Sequence, residues 1–397
     1  MDRHPMVGFI NPLHDVDTMC PRVMYFDNAA TTRVLPEVFE EMRPYFCESY
    51  GNPSSIHDLG FSAAAAMRTA RERVSRTLGC YPSEITFTSG GTESDNLAIL
   101  GVLGQNGRDR IVTTAIEHSA VLETCAEARR RGFRTTVVPV DGEGFVDISE
   151  LEAAMGDDVA LVSVMAANNV IGTQQDLRRI SRIAHDHGAL FHTDAVQGYT
   201  KMDMDVKRDG IDMLSLSGHK VHAPKGIGAI YVRSGVELSP IILGGGQERG
   251  LRSSTENVPG IVGLGKAAEM AFSDMEGDVM RMTSMRDRII DSVCEISGAH
   301  LNGPRSDRLC NNTHFRFDGV KGTDLVLKLN RMGFATSTAS ACSAGEAGPS
   351  HVLTAIGLNA EQALSSLRVT LSPLNTDEEV DALLEAIPVA VAECRTQ

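Results

Sequence analysis

Short apolar runs alternate with amphipathic stretches along much of the chain. Runs of strand length lie at 85–88, 111–115, 135–140, 159–165, 189–194 and 213–217. Helical periodicity covers stretches such as 61–78, 120–131 and 177–187. This alternation predicts an α/β fold with a doubly wound, mostly parallel sheet.

Two later segments add to that sheet. The apolar run 228–233 follows the run 213–217 too closely for a helical crossover, so it should pair antiparallel. A long helical region beginning near Val258 leads to a smaller α+β domain that also recruits the N-terminus. We therefore predict a large α/β domain over 28–272, and a small domain formed by 1–27 with 273–397.

Polar residues follow several of the apolar runs, at the strand ends where open α/β sheets build ligand crevices. Lys220 follows the run 213–217, Asp194 ends the run 189–194, and His118 follows 111–115. A lysine in this place is either an ordinary surface residue or an amine nucleophile. Desolvated lysines form Schiff bases with carbonyl compounds, of which pyridoxal phosphate is the commonest in enzymes.

The neighbouring residues match what a pyridoxal cofactor requires of a protein. A carboxylate at Asp194 would keep the pyridine nitrogen protonated, and Gln197 would donate to the ring oxygen. Asn168 and Asn169 could each serve the same oxygen, and we favour Asn169. His118 could lie flat on the ring.

A phosphate cradle is predicted at Ser-Gly-Gly-Thr-Glu-Ser, residues 89–94, between a strand and a helix. Glycines let the backbone approach an anion, and the N–H groups of a helix N-terminus favour phosphate. A plain helix cap has the same sequence pattern. Gly91 and Thr92 would form one side of the cradle, and Ser217 and His219 the other.

Longer motifs extend this pattern almost from end to end. They are Tyr-Phe-Asp-Asn-Ala-Ala-Thr-Thr at 25–32, Gly-Asn-Pro-Ser-Ser-Ile-His at 51–57, Gly-Gly-Thr-Glu-Ser at 90–94, His-Thr-Asp-Ala-Val-Gln at 192–197, Ser-Gly-His-Lys at 217–220, Gly-Gly-Gly-Gln-Glu-Arg-Gly at 244–250, Ser-Ala-Cys at 340–342 and Ser-Ser-Leu-Arg at 365–368. Together these motifs resemble those of the NifS/IscS-like cysteine desulfurases. That family belongs to the class V aminotransferase group of fold-type I pyridoxal-phosphate enzymes.

The resemblance implies a homodimeric enzyme that takes sulfur from L-cysteine, leaves L-alanine and holds the sulfur as a persulfide on one of its own cysteines. The cofactor residues that it implies are Gly91, Thr92, Asn169, Asp194, Gln197, Ser217 and His219, with Thr255 reaching the phosphate from the other subunit. The implied catalytic residues are Lys220, His118 and Cys342. Arg368 and Asn28 are the implied substrate-binding residues.

Cys342 distinguishes sulfur removal from the other reactions that the same cofactor supports. Its surroundings, 337–349, are small, polar and rich in glycine, which predicts a mobile loop. The chain departs from the family pattern at three positions, where Val170 replaces an acid and Ser254 and Ala339 replace glycines. These departures bear on rate and on the choice of sulfur acceptor more than on the reaction class.

Two alternatives to a cysteine desulfurase stay open. A selenocysteine lyase would use the same machinery and could work without the loop thiol. A sulfur-relay or scaffold subunit would keep the fold with little turnover, which Val170 and Ser254 would permit. The intact Lys220, Asp194 and Arg368 argue for turnover.

Composition limits the partners and the cellular location that we expect for the protein. A net charge of −15 over 397 residues argues against a general nucleic-acid surface. No run of about 18 apolar residues and no signal-type segment within 1–24 occur, so we expect a cytoplasmic protein without a membrane partner. The eight cysteines show neither metal-ligand spacing nor a disulfide framework, and no metal is expected. The expected partner is a sulfur-acceptor protein, such as an iron–sulfur scaffold.

Overall fold

The computed structural model describes residues 23–105, 107–338 and 348–396. Its strands are β1 (Met24–Tyr25), β2 (Ile85–Thr88), β3 (Arg110–Thr114), β4 (Arg134–Val138), β5 (Val159–Ser163), β6 (Leu190–Asp194), β7 (Met213–Ser217), β8 (Gly228–Val232), β9 (Ala299–Leu301), β10 (Asn312–Phe317), β11 (Phe334–Ala335) and β12 (Ser366–Thr370). Its helices are α1 (Pro36–Met42), α2 (Pro44–Cys47), α3 (Asp58–Leu78), α4 (Gly91–Val102), α5 (Ser119–Arg130), α6 (Ile148–Ala154), α7 (Leu177–Asp186), α8 (Val258–Ser273), α9 (Met275–Cys294), α10 (Gly322–Arg331), α11 (His351–Ala355), α12 (Ala360–Leu364) and α13 (Asp377–Arg395).

A seven-stranded sheet in the order β2-β8-β7-β6-β5-β3-β4 forms the centre of the molecule. Strand β8 pairs antiparallel with both β2 and β7, while the remaining pairings are parallel. The predicted doubly wound, mostly parallel sheet is therefore confirmed, as is the antiparallel run after 217. Strand β4 ends at Val138, before the predicted 140, because Pro139 has no N–H to donate to a neighbouring strand.

Local capping sets the bounds of the helices. Helix α3 begins at Asp58, before the apolar periodicity, because His57 Nδ1 accepts from the N–H of Gly60. It ends at Gly79, whose φ of 69° is a left-handed conformation that glycine adopts without strain. Helix α4 begins at Gly91, directly after the strand β2 and its Ser89-Gly90 turn. The predicted cradle is therefore a strand-to-helix turn.

The described residues form four apolar clusters, and the two largest cores lie in different parts of the chain. The first packs the central sheet against helices, with Phe87, Phe191 and Leu216 among its members. The second is built from the C-terminal elements, with Phe315 and Leu383, and it also contains Phe26. Strand β1 pairs with β11, so the N-terminal segment packs with the C-terminal elements. This arrangement agrees with a small domain that recruits the N-terminus, and the boundaries at 27/28 and 272/273 stay a prediction.

Helix hydropathy bears on membrane insertion. Across residues 23–105, 107–338 and 348–396, no helix combines the length and the apolar character needed to cross a bilayer.

We predict that Ser254→Gly stabilises the protein. Ser254 has a φ of 129°, a backbone conformation that strains any residue with a Cβ atom, and its side chain is exposed. Removing the Cβ should raise the free energy of unfolding by about 1 kcal/mol. Urea unfolding at one protein concentration measures the change. Ser254→Ala keeps the Cβ and should match the wild type, and a glycine variant no more stable than the alanine variant would contradict the prediction.

Candidate active site

The carboxyl ends of β2, β3, β5, β6 and β7 meet at one edge of the central sheet because these strands run in the same direction. A cleft at this edge has about 780 Å³ of empty space, counting the part open to solvent. That size suits a small molecule. The cleft is lined by Ala29, Ala30, Gly91, Thr92, Asp95, His118, Met165, Ala167, Asn169, Asp194, Val196, Gln197, Ser217, His219, Lys220 and Arg368. The structure thus brings most of the predicted site residues together.

Lys220 lies in a short 3-10 turn, 218–220, that directly follows β7. Its ammonium donates to the carbonyl of Ala30 at 2.7 Å and also to the carbonyl of Ala29. Gln197 Nε2 donates to the same Ala29 carbonyl at 3.0 Å. The segment after β1 therefore supplies main-chain acceptors that hold the lysine inside the cleft.

Asp194 ends β6 with its side chain buried in the cleft. One carboxylate oxygen accepts from the N–H of Val196 at 2.9 Å. Burial raises the pKa of this carboxyl, while His118, the Val196 N–H and Lys220 act in the opposite direction. A cationic group entering the cleft would therefore find a partner in Asp194.

His118 caps the N-terminus of α5, because its Nδ1 accepts from the N–H of Ala120 at 3.1 Å. With Nδ1 acting as an acceptor, a neutral ring carries its proton on Nε2. Burial lowers the pKa of His118, and Lys220 and His351 lower it further, against the opposing effect of Asp194. A neutral imidazole with an N–H donor is the form that this geometry favours.

The predicted phosphate residues Gly91, Thr92, Ser217 and His219 all line the cleft. A Cβ added at Gly91 would lie 2.6 Å from Val196 Cγ2 and 3.8 Å from Ser217 Cβ, so glycine lets the first turn of α4 approach the turn that follows β6. His219 Nδ1 lies 3.1 Å from the hydroxyl oxygen of Thr31. Burial lowers the pKa of His219 to about 4. His219 is therefore a neutral hydrogen-bonding group at neutral pH.

Arg368 brings the C-terminal elements to the cleft. It lies on β12 and is buried. Its Nη1 donates to the main-chain oxygen of Asn169 at 3.0 Å, and Nη2 donates to Asp27 Oδ1 at 2.8 Å. A guanidinium held at this point can bind a carboxylate in a planar, bidentate arrangement.

Two predicted site residues, Asn28 and Thr255, do not line this cleft. The Asn28 amide donates to the carbonyl of Thr370 at 2.8 Å and lines a separate small cavity. Thr255 is exposed in the loop that precedes α8. Cys342 and the neighbouring Ala339 lie outside the described residues. The roles predicted for these residues stay predictions.

Sequence reasoning missed two buried carboxyl groups beside the cleft. Asp95 lies in the second turn of α4 and lines the cleft. Glu117, next to His118, is fully buried, accepts from Thr114 Oγ1 at 2.6 Å and takes the N–H of Met165 at 3.0 Å. Asp95 directly follows the predicted cradle, and Glu117 directly precedes His118. No pattern in the sequence indicated that these two side chains are buried, because their burial depends on how α4 and α5 pack on the sheet.

Val170 is buried in an apolar cluster with Ile116, Val352 and Leu353. Its N–H donates to Asn168 Oδ1 at 2.9 Å, which turns the Asn168 side chain toward its own loop. Valine at position 170 therefore makes this part of the structure apolar, and its side chain packs against α11. Among the residues that the structure describes, no cluster of three or more His, Cys, Asp or Glu side chains is placed to hold a metal ion.

Comparison with known proteins finds relatives that match nearly the whole chain. The family model for class-V aminotransferases matches residues 24–383. A protein named cysteine desulfurase IscS from Methanosarcina thermophila is 48% identical over 377 residues, which cover 94% of this chain and 93% of the relative. The IscS of Clostridium botulinum strain Hall is 46% identical, with 94% and 95% covered.

Solved structures agree with the sequence comparison. A NifS-like protein superposes with a TM-score of 0.88 at 40% identity, covering 94% of this chain and 100% of the other. A NifS-like protein from Rickettsia africae has a TM-score of 0.85 at 30% identity, with 93% and 99% covered. These matches confirm the α/β fold that the sequence motifs implied.

We predict that Glu117→Gln makes stability less sensitive to pH. Burial raises the pKa of Glu117 to about 8, whereas the unfolded chain releases this proton above about 4.3. Between about pH 4.3 and pH 8, the folded protein therefore binds one more proton than the unfolded chain does. Over that range the wild type should lose stability relative to the variant as pH rises, by at most about 1.4 kcal/mol per pH unit. The difference should level off above pH 8 or so.

Urea unfolding at a series of pH values measures this difference. The exposed Glu123, on the same helix, supplies the matched control, and Glu123→Gln should follow the wild-type curve. Parallel curves for the wild type and Glu117→Gln would show that the folded protein does not hold this proton.

Proposed function

The chain belongs to the class-V aminotransferase family, and from that premise we propose that it is a cysteine desulfurase dependent on pyridoxal 5'-phosphate. It takes sulfur from L-cysteine, leaves L-alanine and passes the sulfur to one of its own cysteines. The observation that carries the proposal is that Lys220, Asp194, His118 and Arg368 line a single cleft. The relatives named cysteine desulfurase support the choice of substrate.

The cleft fits the cofactor because it offers complementary groups at the required places. Gly91 keeps space for an anion at the N-terminus of α4, where the first N–H groups of a helix lack partners within the helix. Asp194 offers a buried carboxylate for a ring nitrogen. When bound, pyridoxal phosphate would supply a carbonyl for the Lys220 amine and a ring that withdraws electrons from an amino acid.

The side chains of the cleft would divide the binding of that cofactor. Gly91, Thr92, Ser217 and His219 would hold the phosphate, with Thr255 of a second subunit. Gln197 and Asn169 would bind the ring oxygen, and His118 would cover the ring and donate through Nε2. Lys220 Nζ would exchange its carbonyl contacts with Ala29 and Ala30 for the cofactor.

Substrate binding would depend on Arg368, with Asn28 proposed to assist. The guanidinium lies on the cleft wall and has five N–H donors in one plane. Its contacts with Asn169 and Asp27 fix the plane of that group. The carboxylate of L-cysteine is the part of the substrate that such a group recognises.

Cys342 would accept the sulfur. The described residues on both sides of its segment contact residues at or next to the cleft, since Ser337 exchanges two main-chain hydrogen bonds with Arg368 and His351 Nε2 lies 2.9 Å from the carbonyl oxygen of Glu117. Four peptide units join Thr338 to Cys342, and a chain of that length spans at most about 14 Å.

The two buried cysteines, Cys125 and Cys310, are poorly suited to this role. Burial raises the pKa of Cys125 to about 12 and that of Cys310 to about 11. These thiols stay protonated at neutral pH, and the thiolate is the reactive form.

The protein would act as a cytoplasmic homodimer that supplies sulfur for iron–sulfur cluster assembly or for thiolation. Thr255 is exposed, as a residue that completes a neighbouring subunit's site must be.

We predict that Cys342→Ala abolishes sulfur transfer while cofactor binding persists. Alanine release from L-cysteine should fall by roughly 100-fold or more, because the accepting thiol is gone. Amino-acid analysis measures alanine, and the visible absorption of the holoenzyme measures bound cofactor. Mass spectrometry of the wild type after exposure to L-cysteine should locate one added sulfur atom at Cys342.

Cys294→Ala, which removes an exposed thiol, is the control and should keep wild-type activity. Full activity of Cys342→Ala would favour the selenocysteine lyase alternative. Bound cofactor in the wild type without any alanine release would favour the relay subunit.

We predict that Arg368→Lys weakens substrate binding. A lysine has no planar pair of donors for a carboxylate, so the KM for L-cysteine should rise by about 10-fold or more with a smaller effect on kcat. Steady-state kinetics of alanine release measures both constants. Arg316→Lys on the adjacent strand β10 is the matched control, since Arg316 Nη1 donates to Asn302 Oδ1 and the residue does not line the cleft. An unchanged KM would remove Arg368 from the substrate site.

A further inference from the structure

Two buried carboxyl groups line the same cleft, although the proposed chemistry accounts for only one of them. Asp95 is 1% exposed, and Asp194 is also buried. The Oδ1 atom of Asp95 has no hydrogen-bond partner among the described residues. A buried carboxylate oxygen without a donor carries a large desolvation cost, so the protonation state of Asp95 needs an explanation.

His192 does not compensate a charge on Asp95. Its Nε2 lies 3.7 Å from Asp95 Oδ1, which has the geometry of an ion pair. However, burial lowers the pKa of His192 to about 3, so the imidazole is neutral at neutral pH. Its two ring nitrogens already face hydroxyl groups, with Nδ1 at 2.9 Å from Ser163 Oγ and Nε2 at 3.0 Å from Ser215 Oγ.

The surroundings of the two carboxyl groups differ in a way that decides which one holds a proton. Asp194 accepts the N–H of Val196 and lies in the favourable field of the Lys220 ammonium. Asp95 lies in the unfavourable field of Asp194, which lines the same cleft. Burial and Asp194 raise the pKa of Asp95 well above its usual range, and the Ser215 hydroxyl opposes them only in part. When two buried carboxyl groups interact in this way, ionisation of one favours protonation of the other.

We propose that Asp95 is a positioning residue that stays a neutral carboxylic acid at the floor of the cleft, which leaves Asp194 as the ionised partner of the cofactor ring. The inference rests on the proposed function, because it concerns how the cofactor is held. A charged Asp95 would pull protons and cations toward α4, away from Asp194. The neutral acid does not compete with Asp194 for positive charge, and the hydroxyls of Ser163 and Ser215 hold the neighbouring His192 in place.

Infrared spectroscopy of the holoenzyme tests the protonation state directly. The difference spectrum between the wild type and Asp95→Asn at neutral pH should contain the carbonyl stretch of one protonated carboxylic acid. Glu117 is present in both proteins and cancels, and Glu117→Gln supplies a reference for a second buried acid. A difference spectrum that instead shows the two stretches of a carboxylate would overturn the proposal.

The pH profile of the visible absorption band tests the consequence for the cofactor. Because asparagine is neutral and of the same shape, the midpoint of the Asp95→Asn holoenzyme should lie within about half a pH unit of the wild type. Removing a negative charge from an ionised Asp95 would lower the midpoint by about one unit or more, and this result would contradict the proposal. Asp194→Asn, which removes the charge assigned to the ring, should produce that larger shift or lose the band.

These outcomes distinguish failure of the proposed function from failure of the inference about Asp95. A wild-type protein that shows no visible band with pyridoxal phosphate would refute the proposed function. A normal band together with a carboxylate signal from Asp95 would refute only the inference about Asp95. If Asp95→Asn does not fold, Asp95→Ser is also neutral and smaller, and both measurements apply to it with the same expected results.

Discussion

The rest of the site depends on the hydrogen bonds that keep the Lys220 ammonium inside the cleft. Lys220 leaves β7 in a tight turn and donates to the carbonyls of Ala29 and Ala30. Hydrogen bonds to neutral carbonyl oxygens exchange readily, so a competing group can replace these contacts. The same contacts tie the segment after β1 to the central sheet, and this segment also carries Asp27, the partner of Arg368.

Burial also determines which groups around this lysine are charged. Asp194, His118 and His219 line the same cleft, and burial lowers the pKa of both histidines while it raises that of the carboxyl. With neutral imidazoles, the charges of the cleft are the cations Lys220 and Arg368 and the anion Asp194. A site of this kind can bind a zwitterionic or anionic molecule, and partial burial strengthens the electrostatic interactions.

The cleft also joins the two cores of the molecule. Arg368 comes from β12, packed in the C-terminal core, and it donates to the main chain of Asn169 next to the central sheet. Ser337 pairs with Arg368, so the chain that leads to Cys342 begins at the substrate side of the cleft. On the other side of that segment, α11 packs through Val352 and Leu353 against Val170. The acid that the family often has at position 170 would lie in this apolar cluster, which explains why valine is compatible with the fold.

Sequence by itself determined the strand and helix alternation, the antiparallel β8, and most residues of the cleft, including Lys220, Asp194 and Arg368. These features follow from local periodicity and from the rule that parallel strands place their carboxyl ends at one edge. Only the tertiary structure decided which groups are buried and what they contact. Asp95 and Glu117 are ordinary acidic residues in the sequence, whereas in the fold both side chains are buried. Protonation depends on that environment, which distant parts of the chain create together, so no local pattern could reveal it.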